Sequence, residues 1–239
     1  MGVAINKFVG LEILNDMSQE ELDLIVKTII DKGSLTETLT TNELYKKYQP
    51  NHRMYLDVIQ NEILAFGSHT FGSNKSYIEI VRDVCKKMKV PFNPKHDLEH
   101  LEHNLLETVL EKTWESMEPE EQRKFLSNLN EKTGIKAQAS AAALIGLFRA
   151  GGFASYQVLL LIANQIAIMI LGRGLSLAAN AALVRAASIF AGPIGMALTA
   201  VWTVFDLAGP AYRVTIPIVI YIAAIRAVHN NNQFKNFAF

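Results

Sequence analysis

The second part of this sequence lacks acidic residues almost completely. Of the 23 aspartates and glutamates in the 239-residue chain, 22 precede Ala137 and only Asp206 follows it. Lysine is missing there too, apart from Lys235, so five arginines carry most of the positive charge. The first 136 residues hold 17 basic side chains, and the formal charges are therefore −5 before Ala137 and +5 from there on. This polarity does not fit one domain of uniform soluble composition.

The motifs of common catalytic sites are also absent. The chain has no Gly-rich phosphate loop, no GxSxG and no HExxH sequence. A single cysteine, Cys85, excludes an intrachain disulfide framework and a thiolate zinc cluster. Cys85 shares a helical stripe with Val81, Val84 and Met88, which predicts a core residue and not a nucleophile. We therefore expect a protein without enzymatic activity and without a cofactor.

Zero formal net charge argues against nucleic acid as a partner. Apart from the scattered arginines of the second part, no basic patch is evident that stands clear of neighbouring acids, so we expect no nucleic-acid binding. The first 16 residues lack the basic segment and apolar core of a secretory signal. The expected compartment is the cytoplasm.

The first part is predicted to be helical throughout, because apolar residues recur at helical spacing and no strand-like alternation appears. Ser18 and Glu21 have the pattern of a capping box, which begins a helix that ends near Gly33. Thr41 or Asn42 is expected to cap a short helix through Tyr48. Two more amphipathic helices are indicated by apolar stripes: Tyr55, Ile59, Ile63 and Phe66, and then Tyr77, Ile80, Val81, Val84 and Met88.

A further helix, predicted from Asp97 to Met117, carries two opposite stripes. The apolar stripe contains Leu98, Leu101, Leu105 and Val109, and the polar stripe contains His96, His100, His103 and Glu107. Imidazoles and a carboxylate at this spacing suit a divalent metal ion. Clustered histidines also suit a proton sensor. The ordinary alternative, a solvated helix face, is the one we favour.

From Gly134 onward, apolar and small residues surround the predicted helices on all sides. Residues 153–171 form a run of 19 without a charge, about 28 Å as a helix and close to the hydrocarbon thickness of a bilayer. A turn at Gly172-Arg173-Gly174 is expected to precede a returning helix. We predict an apolar hairpin formed around residues 153–205, with these hairpin or membrane-facing residues: Phe153, Leu159, Leu160, Leu161, Ile166, Ile168, Ile170 and Leu171.

Five arginines lie at or near breaks in the apolar segments: Arg149, Arg173, Arg185, Arg213 and Arg226. Their guanidinium groups could bind lipid phosphates or pair with the carboxylates of the acidic first part. We favour internal pairing. The two interpretations are compatible, because arginines released from carboxylates would become available to anionic lipid.

Several blocks of sequence resemble the bacterial YaaW family, and they cover nearly the whole chain. These blocks are residues 62–67, 77–85, 113–117, 153–156, 172–176, 191–195 and 208–217. Members of the family are labelled as similar to a ubiquinol–cytochrome c chaperone, so the resemblance implies handling of apolar protein or contact with a membrane. It brings no catalytic residues.

These patterns predict an all-α, multi-helix bundle. Amphipathic helices of residues 1–133 would pack around an apolar, arginine-only region, residues 134–228, followed by a polar tail, residues 229–239. We expect a protein that exposes or inserts its hairpin, or alternatively a soluble chaperone-like or scaffold protein. The expected partner is an anionic membrane surface or an apolar protein surface, and homo-oligomers remain open. The expected location is the cytoplasm, peripheral to the inner membrane or inserted in it.

Overall fold

The computed structural model is all helical in the part of the chain it describes, which confirms the predicted fold class. The described residues are 8–33, 36–68, 75–115, 117–123, 126–127, 140–151, 155–156, 158–159 and 210–230. They fall into two compact units. The first unit lies within residues 1–102 and 208–219, and the second within residues 103–207 and 220–239.

The α-helices of the described residues are α1 (Gln19–Gly33), α2 (Glu43–Tyr48), α3 (Leu56–Gly67), α4 (Tyr77–Met88), α5 (Leu98–Glu115), α6 (Ala141–Ala150) and α7 (Pro210–Asn230). Short 3-10 helices cover Glu12–Asn15, Leu39–Thr41 and His52–Tyr55, and residues 119–123 are helical as well. Helices α1 to α4 belong to the first unit and α6 to the second. Helices α5 and α7 contribute residues to both.

Side-chain caps fix where the early helices begin. The amide of Ser18 donates to Oε2 of Glu21 at 2.6 Å, and the amide of Glu21 donates to Oγ of Ser18 at 3.2 Å, so the predicted capping box is confirmed. Asn42 caps α2 by accepting a hydrogen bond from the amide of Leu44 at 2.9 Å. Helix α4 begins with a second capping-box pair, Ser76 and Glu79, in which the carboxylate of Glu79 accepts hydrogen bonds from the amide of Ser76 at 2.8 Å and from its hydroxyl at 2.6 Å.

The core of the first unit contains the apolar stripes predicted for α3 and α4. Their residues are buried: Tyr55, Ile59, Ile63 and Phe66, with Tyr77, Ile80, Val81, Val84 and Met88. Glycine is required where α3 ends against α4, since a Cβ atom on Gly67 would lie 2.2 Å from Cδ1 of Ile80. The close approach of the two helices therefore depends on Gly67.

Helices α5 and α7 are buried more broadly than an amphipathic pattern requires. In α5 the predicted Leu101, Leu105 and Val109 are buried, and Leu106 and Leu110 are buried beside them. In α7 every residue from 214 to 225 is buried. This helix contains the whole predicted apolar stretch, residues 214–228, and extends through His229 to Asn230. The first two residues of the predicted polar tail are therefore helical, and residues 231–239 lie outside the described part.

Candidate functional site

The predicted histidine stripe is not one helical surface, because His96 lies before α5 and not within it. The side chain of Asp97 accepts a hydrogen bond from the amide of His100 at 3.0 Å, which caps the helix after His96. The rings of His96 and His100 are 5.5 Å apart. The extension of α5 to Asp97 and Met117 was wrong by one or two residues at each end.

His100 is held by the same aspartate. Its Nδ1 lies 2.7 Å from Oδ1 of Asp97, and this hydrogen bond raises the pKa of His100. In return, the backbone hydrogen bond from His100, followed by the side-chain one, lowers the pKa of Asp97. Both side chains are well exposed. The pair therefore stabilises the first turn of α5.

His103, Glu107, Phe148 and Arg149 form one cluster between α5 and α6, within the second unit. Arg149 binds Glu107 with two parallel hydrogen bonds, from Nε at 2.6 Å and from an Nη at 2.7 Å. Nε2 of His103 lies 3.0 Å from Oε1 of Glu107, and the His103 ring stacks on Phe148 at 4.8 Å. The hydrogen bond from Arg149 is the main reason that the pKa of Glu107 is lowered. This cluster fastens the apolar α6 to α5.

The geometry gives no support to a metal site in the described residues. No group of three or more histidine, cysteine, aspartate or glutamate side chains there could hold a metal ion. Both carboxylate oxygens of Glu107 already bind Arg149. A divalent ion at this position would have to displace the guanidinium group.

The five arginines differ in what the structure shows of them. Arg149 pairs with Glu107, a residue of the acidic first part, as described above. Arg213 and Arg226 on α7 are both half-buried, and Nε of Arg213 is buried with no hydrogen-bond partner among the residues that the structure describes. Arg173 and Arg185 lie outside the described residues.

Most of the predicted hairpin also lies outside the described residues. Leu159 is described and is 1% exposed, and its neighbours Tyr156 and Val158 are buried as well. The remaining predicted hairpin residues are not among those described: Phe153, Leu160, Leu161, Ile166, Ile168, Ile170 and Leu171. In this part of the chain, burial is therefore established for Leu159 alone among the predicted set.

One helix of the described residues is long and apolar enough to cross a membrane. It is Tyr212–Asn230 in α7, 19 residues in length, and 72% of its most apolar 18-residue window is buried in the protein. The sequence predicts the spanning segment elsewhere, in the uncharged residues 153–171. Among the described residues, the helix with these properties is α7.

Sequence reasoning missed an exposed cluster of lysines at the end of α4. Lys86 and Lys87 form its last turn, and Lys89 follows as the C-cap in the left-handed conformation, with φ of 58°. Nζ of Lys87 lies over the ring of Tyr212, in the first turn of α7, at 5.3 Å. Counting charges over short windows instead of whole halves would have found this cluster.

A buried histidine in the first unit was missed as well. His52 is 3% exposed, with Nε2 at 3.2 Å from Oδ1 of Asp23 and Nδ1 facing the hydroxyl of Tyr55. Burial lowers the pKa of His52 although Asp23 opposes the shift. Burial also raises the pKa of Tyr55 to about 12. A neutral imidazole that donates to Asp23 and accepts from Tyr55 satisfies all three groups.

Fold and site together define an all-α protein in which a cationic helix end contacts the start of a long apolar helix. Comparison with known proteins gives the family. The chain is 40% identical over 227 residues to a UPF0174 protein of Helicobacter pylori strain J99, and the match covers 90% of each chain. A second UPF0174 protein of that strain is 30% identical over 203 residues, 80% of this chain and 97% of the relative.

The UPF0174 protein YaaW of Escherichia coli K12 is 29% identical over 238 residues, 93% of this chain and 95% of the relative. This chain therefore belongs to the UPF0174 family, and the resemblance to YaaW is confirmed. No family model matches the chain, and no solved structure does.

Proposed function

We propose that this protein associates with membranes without catalysing a reaction, and that its apolar helices are sheltered in the water-soluble form and exposed or inserted at a bilayer. Helix α7 is the observation that carries the proposal. Its 19-residue segment Tyr212–Asn230, which is apolar on average, spans about 28 Å at ~1.5 Å per residue, close to the ~30 Å of a bilayer core. The proposed location is the cytoplasmic side of the inner membrane.

Burial of α7 supports the idea of two alternative environments. Removing apolar surface from water is worth roughly 25 cal/mol per Å², whether protein or hydrocarbon replaces the water. Residues 214–225 are covered by protein in this structure. A bilayer would provide a cover of similar value, so a modest change in affinity for lipid can shift the balance between the two forms.

The same burial also favours a second candidate, a soluble chaperone-like or scaffold protein in which α7 is a permanent core helix. A helix that is 72% buried over its most apolar window needs no lipid to be stable. The two candidates differ in one measurable property. Only the first requires α7 to leave its protein cover when vesicles are present.

A fluorescent label on α7 tests this difference. Ala227 is half-buried, so Ala227→Cys accepts a label near the end of the helix. Native Cys85 does not interfere, because it is fully buried and burial raises the pKa of its thiol to about 12. Labelled protein is mixed with vesicles of equal parts phosphatidylglycerol and phosphatidylethanolamine, at neutral and acidic pH, and separated by flotation.

Insertion predicts that the label on Ala227→Cys is quenched by nitroxides attached to the lipid tails. Leu44→Cys, on the exposed side of α2 at 44% exposure, serves as the matched control and should float with the vesicles without being quenched. If the protein stays in the aqueous fraction at both pH values and releases no trapped dye, the soluble candidate is correct and the membrane proposal is wrong.

A further inference from the structure

Residues 82–95 are the cationic stretch of an otherwise acidic region. They contain Arg82, Lys86, Lys87, Lys89 and Lys95 against a single acid, Asp83. The rest of residues 1–102 holds seven basic and 14 acidic side chains. Positive charge is therefore concentrated at one end of α4 and in the segment that follows it.

The helix end keeps these charges at the surface. Met88 and Val90 are buried, whereas Lys86, Lys87 and Lys89 are exposed. The carboxylate within this stretch, on Asp83, lies 2.6 Å from Nζ of Lys75 and 3.5 Å from that of Lys86. In the described part of the chain, no ion pair involves Lys87 or Lys89, so their charges face solvent.

The same surface includes the beginning of the apolar α7. Nζ of Lys87 lies 5.3 Å from the ring centroid of Tyr212, and Arg213 is the next residue in that first turn. Tyrosine, lysine and arginine concentrate where membrane helices meet the headgroup layer, because their apolar parts face the hydrocarbon and their polar ends stay in water.

We infer that this lysine edge, defined as Lys86, Lys87, Lys89 and Tyr212, is the surface that binds the phosphate groups of anionic phospholipids. The inference rests on the proposed function and adds to it the residues and the lipid class. Lipid fits better than nucleic acid because the edge adjoins an apolar helix long enough to enter a bilayer.

Helix α2 offers a closely matched control. Its last turn also holds two exposed lysines, Lys46 and Lys47. Nζ of Lys46 lies 3.1 Å from Glu43, and Lys47 lies over the ring of Tyr48 at 4.8 Å. The double variants Lys86→Gln/Lys87→Gln and Lys46→Gln/Lys47→Gln therefore remove the same charge, one ion pair and one cation–π contact each.

The experiment measures binding of the full chain to vesicles of equal parts phosphatidylglycerol and phosphatidylethanolamine. Phosphatidylcholine vesicles and a single-stranded oligonucleotide serve as further probes. Each lysine near an anionic surface contributes about fivefold to binding. The Lys86→Gln/Lys87→Gln variant should therefore bind anionic vesicles on the order of 25-fold more weakly, and the Lys46→Gln/Lys47→Gln variant within about twofold of the original. Circular dichroism checks that both remain folded.

Equal losses in the two variants, or no loss in either, would overturn the inference while leaving the membrane proposal intact, because the original chain still binds. Binding to the oligonucleotide that depends on Lys86 and Lys87, with no such dependence on vesicles, would also overturn it. Failure of the original chain to bind either kind of vesicle would overturn both proposals.

Discussion

Helices α4 and α7 differ in how much of their surface is buried. Helix α4 buries one face, with Val81, Val84 and Met88 in the core, and exposes Lys86 and Lys87 on the other. Helix α7 buries every residue from 214 to 225. The sequence of α4 therefore specifies which side faces water, whereas α7 has no such side over these residues and depends on its surroundings for cover.

Thiol reactivity measures the two faces of α4 directly, and here we expect the largest effect. Burial raises the pKa of Cys85 from 9.0 to about 12, so its thiolate is roughly 1,000-fold scarcer than that of an ordinary cysteine at the same pH. A thiol introduced one residue later by Lys86→Cys lies on the exposed face. Reaction with a thiol reagent should label position 86 rapidly and Cys85 only on unfolding. Similar rates at both positions would show that α4 is not buried on one side.

Alanine substitutions at consecutive positions test whether α7 lacks a water-facing side. Three consecutive residues of α7 are at most 1% exposed: Ile218, Val219 and Ile220. Replacing each of them in turn by alanine should lower the free energy of unfolding by roughly 2–4 kcal/mol. In α4 the series Lys86, Lys87 and Met88 should show a comparable loss only at Met88. Urea denaturation gives these values. A helical periodicity in the α7 series would contradict the contrast between the two helices.

Acid should weaken the amphipathic part through His52. Burial lowers the pKa of His52 in the folded protein below the 6.5 of the unfolded chain. Stability is therefore intact above pH 6.5 and falls as the pH drops from 6.5 through the lower folded pKa, by at most about 1.4 kcal/mol per pH unit for one proton. The variant His52→Gln should flatten this slope in urea titrations across that range. An unchanged slope would exclude His52 as its source.

The smallest effect is expected where an amphipathic helix and an apolar helix are joined, at Glu107 and Arg149. Hydrogen bonding to Arg149 lowers the pKa of Glu107 below 4.5, so the pair stabilises the fold above pH 4.5 and the contribution is lost as the pH falls through the folded pKa. Glu107→Gln should lower the melting temperature slightly at neutral pH. At a pH below the folded pKa of Glu107, where the carboxyl group is protonated, the substitution should leave the melting temperature unchanged. An equal difference at both pH values would contradict an ionic contribution.

Local signals predicted the amphipathic helices well. Ser18 with Glu21, and Asn42, are caps whose chemistry depends only on residues two or three positions away, and a one-sided stripe such as Ile80, Val84 and Met88 has a period that can be counted. The bounds of α5 were less accurate, because Asp97 acts as the cap and not as the first helical residue. In α7, apolar residues on all sides predicted a buried helix but did not show which parts of the protein pack against it.

The site was harder to predict because its contacts join distant residues. Glu107 and Arg149 are 42 positions apart, and nothing near Glu107 in the sequence indicates that an arginine will occupy both of its oxygens. Spacing alone made Glu107 resemble a metal ligand. Lys87 and Tyr212, which are in contact, are separated by still more of the sequence. The lysines beside them were missed because charges were counted over whole halves of the chain.

Pro217 lies inside α7, and its ring nitrogen has no hydrogen to give to the carbonyl oxygen of Arg213 one turn earlier. In water or against polar side chains such an oxygen readily finds a hydrogen-bond donor, but in hydrocarbon an acceptor without a donor is strongly unfavourable. Arg213 is the residue next to Tyr212, at the end of the helix where the lysines lie. If α7 inserts into a bilayer with its carboxyl-terminal end first, the turn that contains Arg213 stays in the headgroup layer. Lipid-bound water there can hydrate the carbonyl oxygen that Pro217 leaves without a donor.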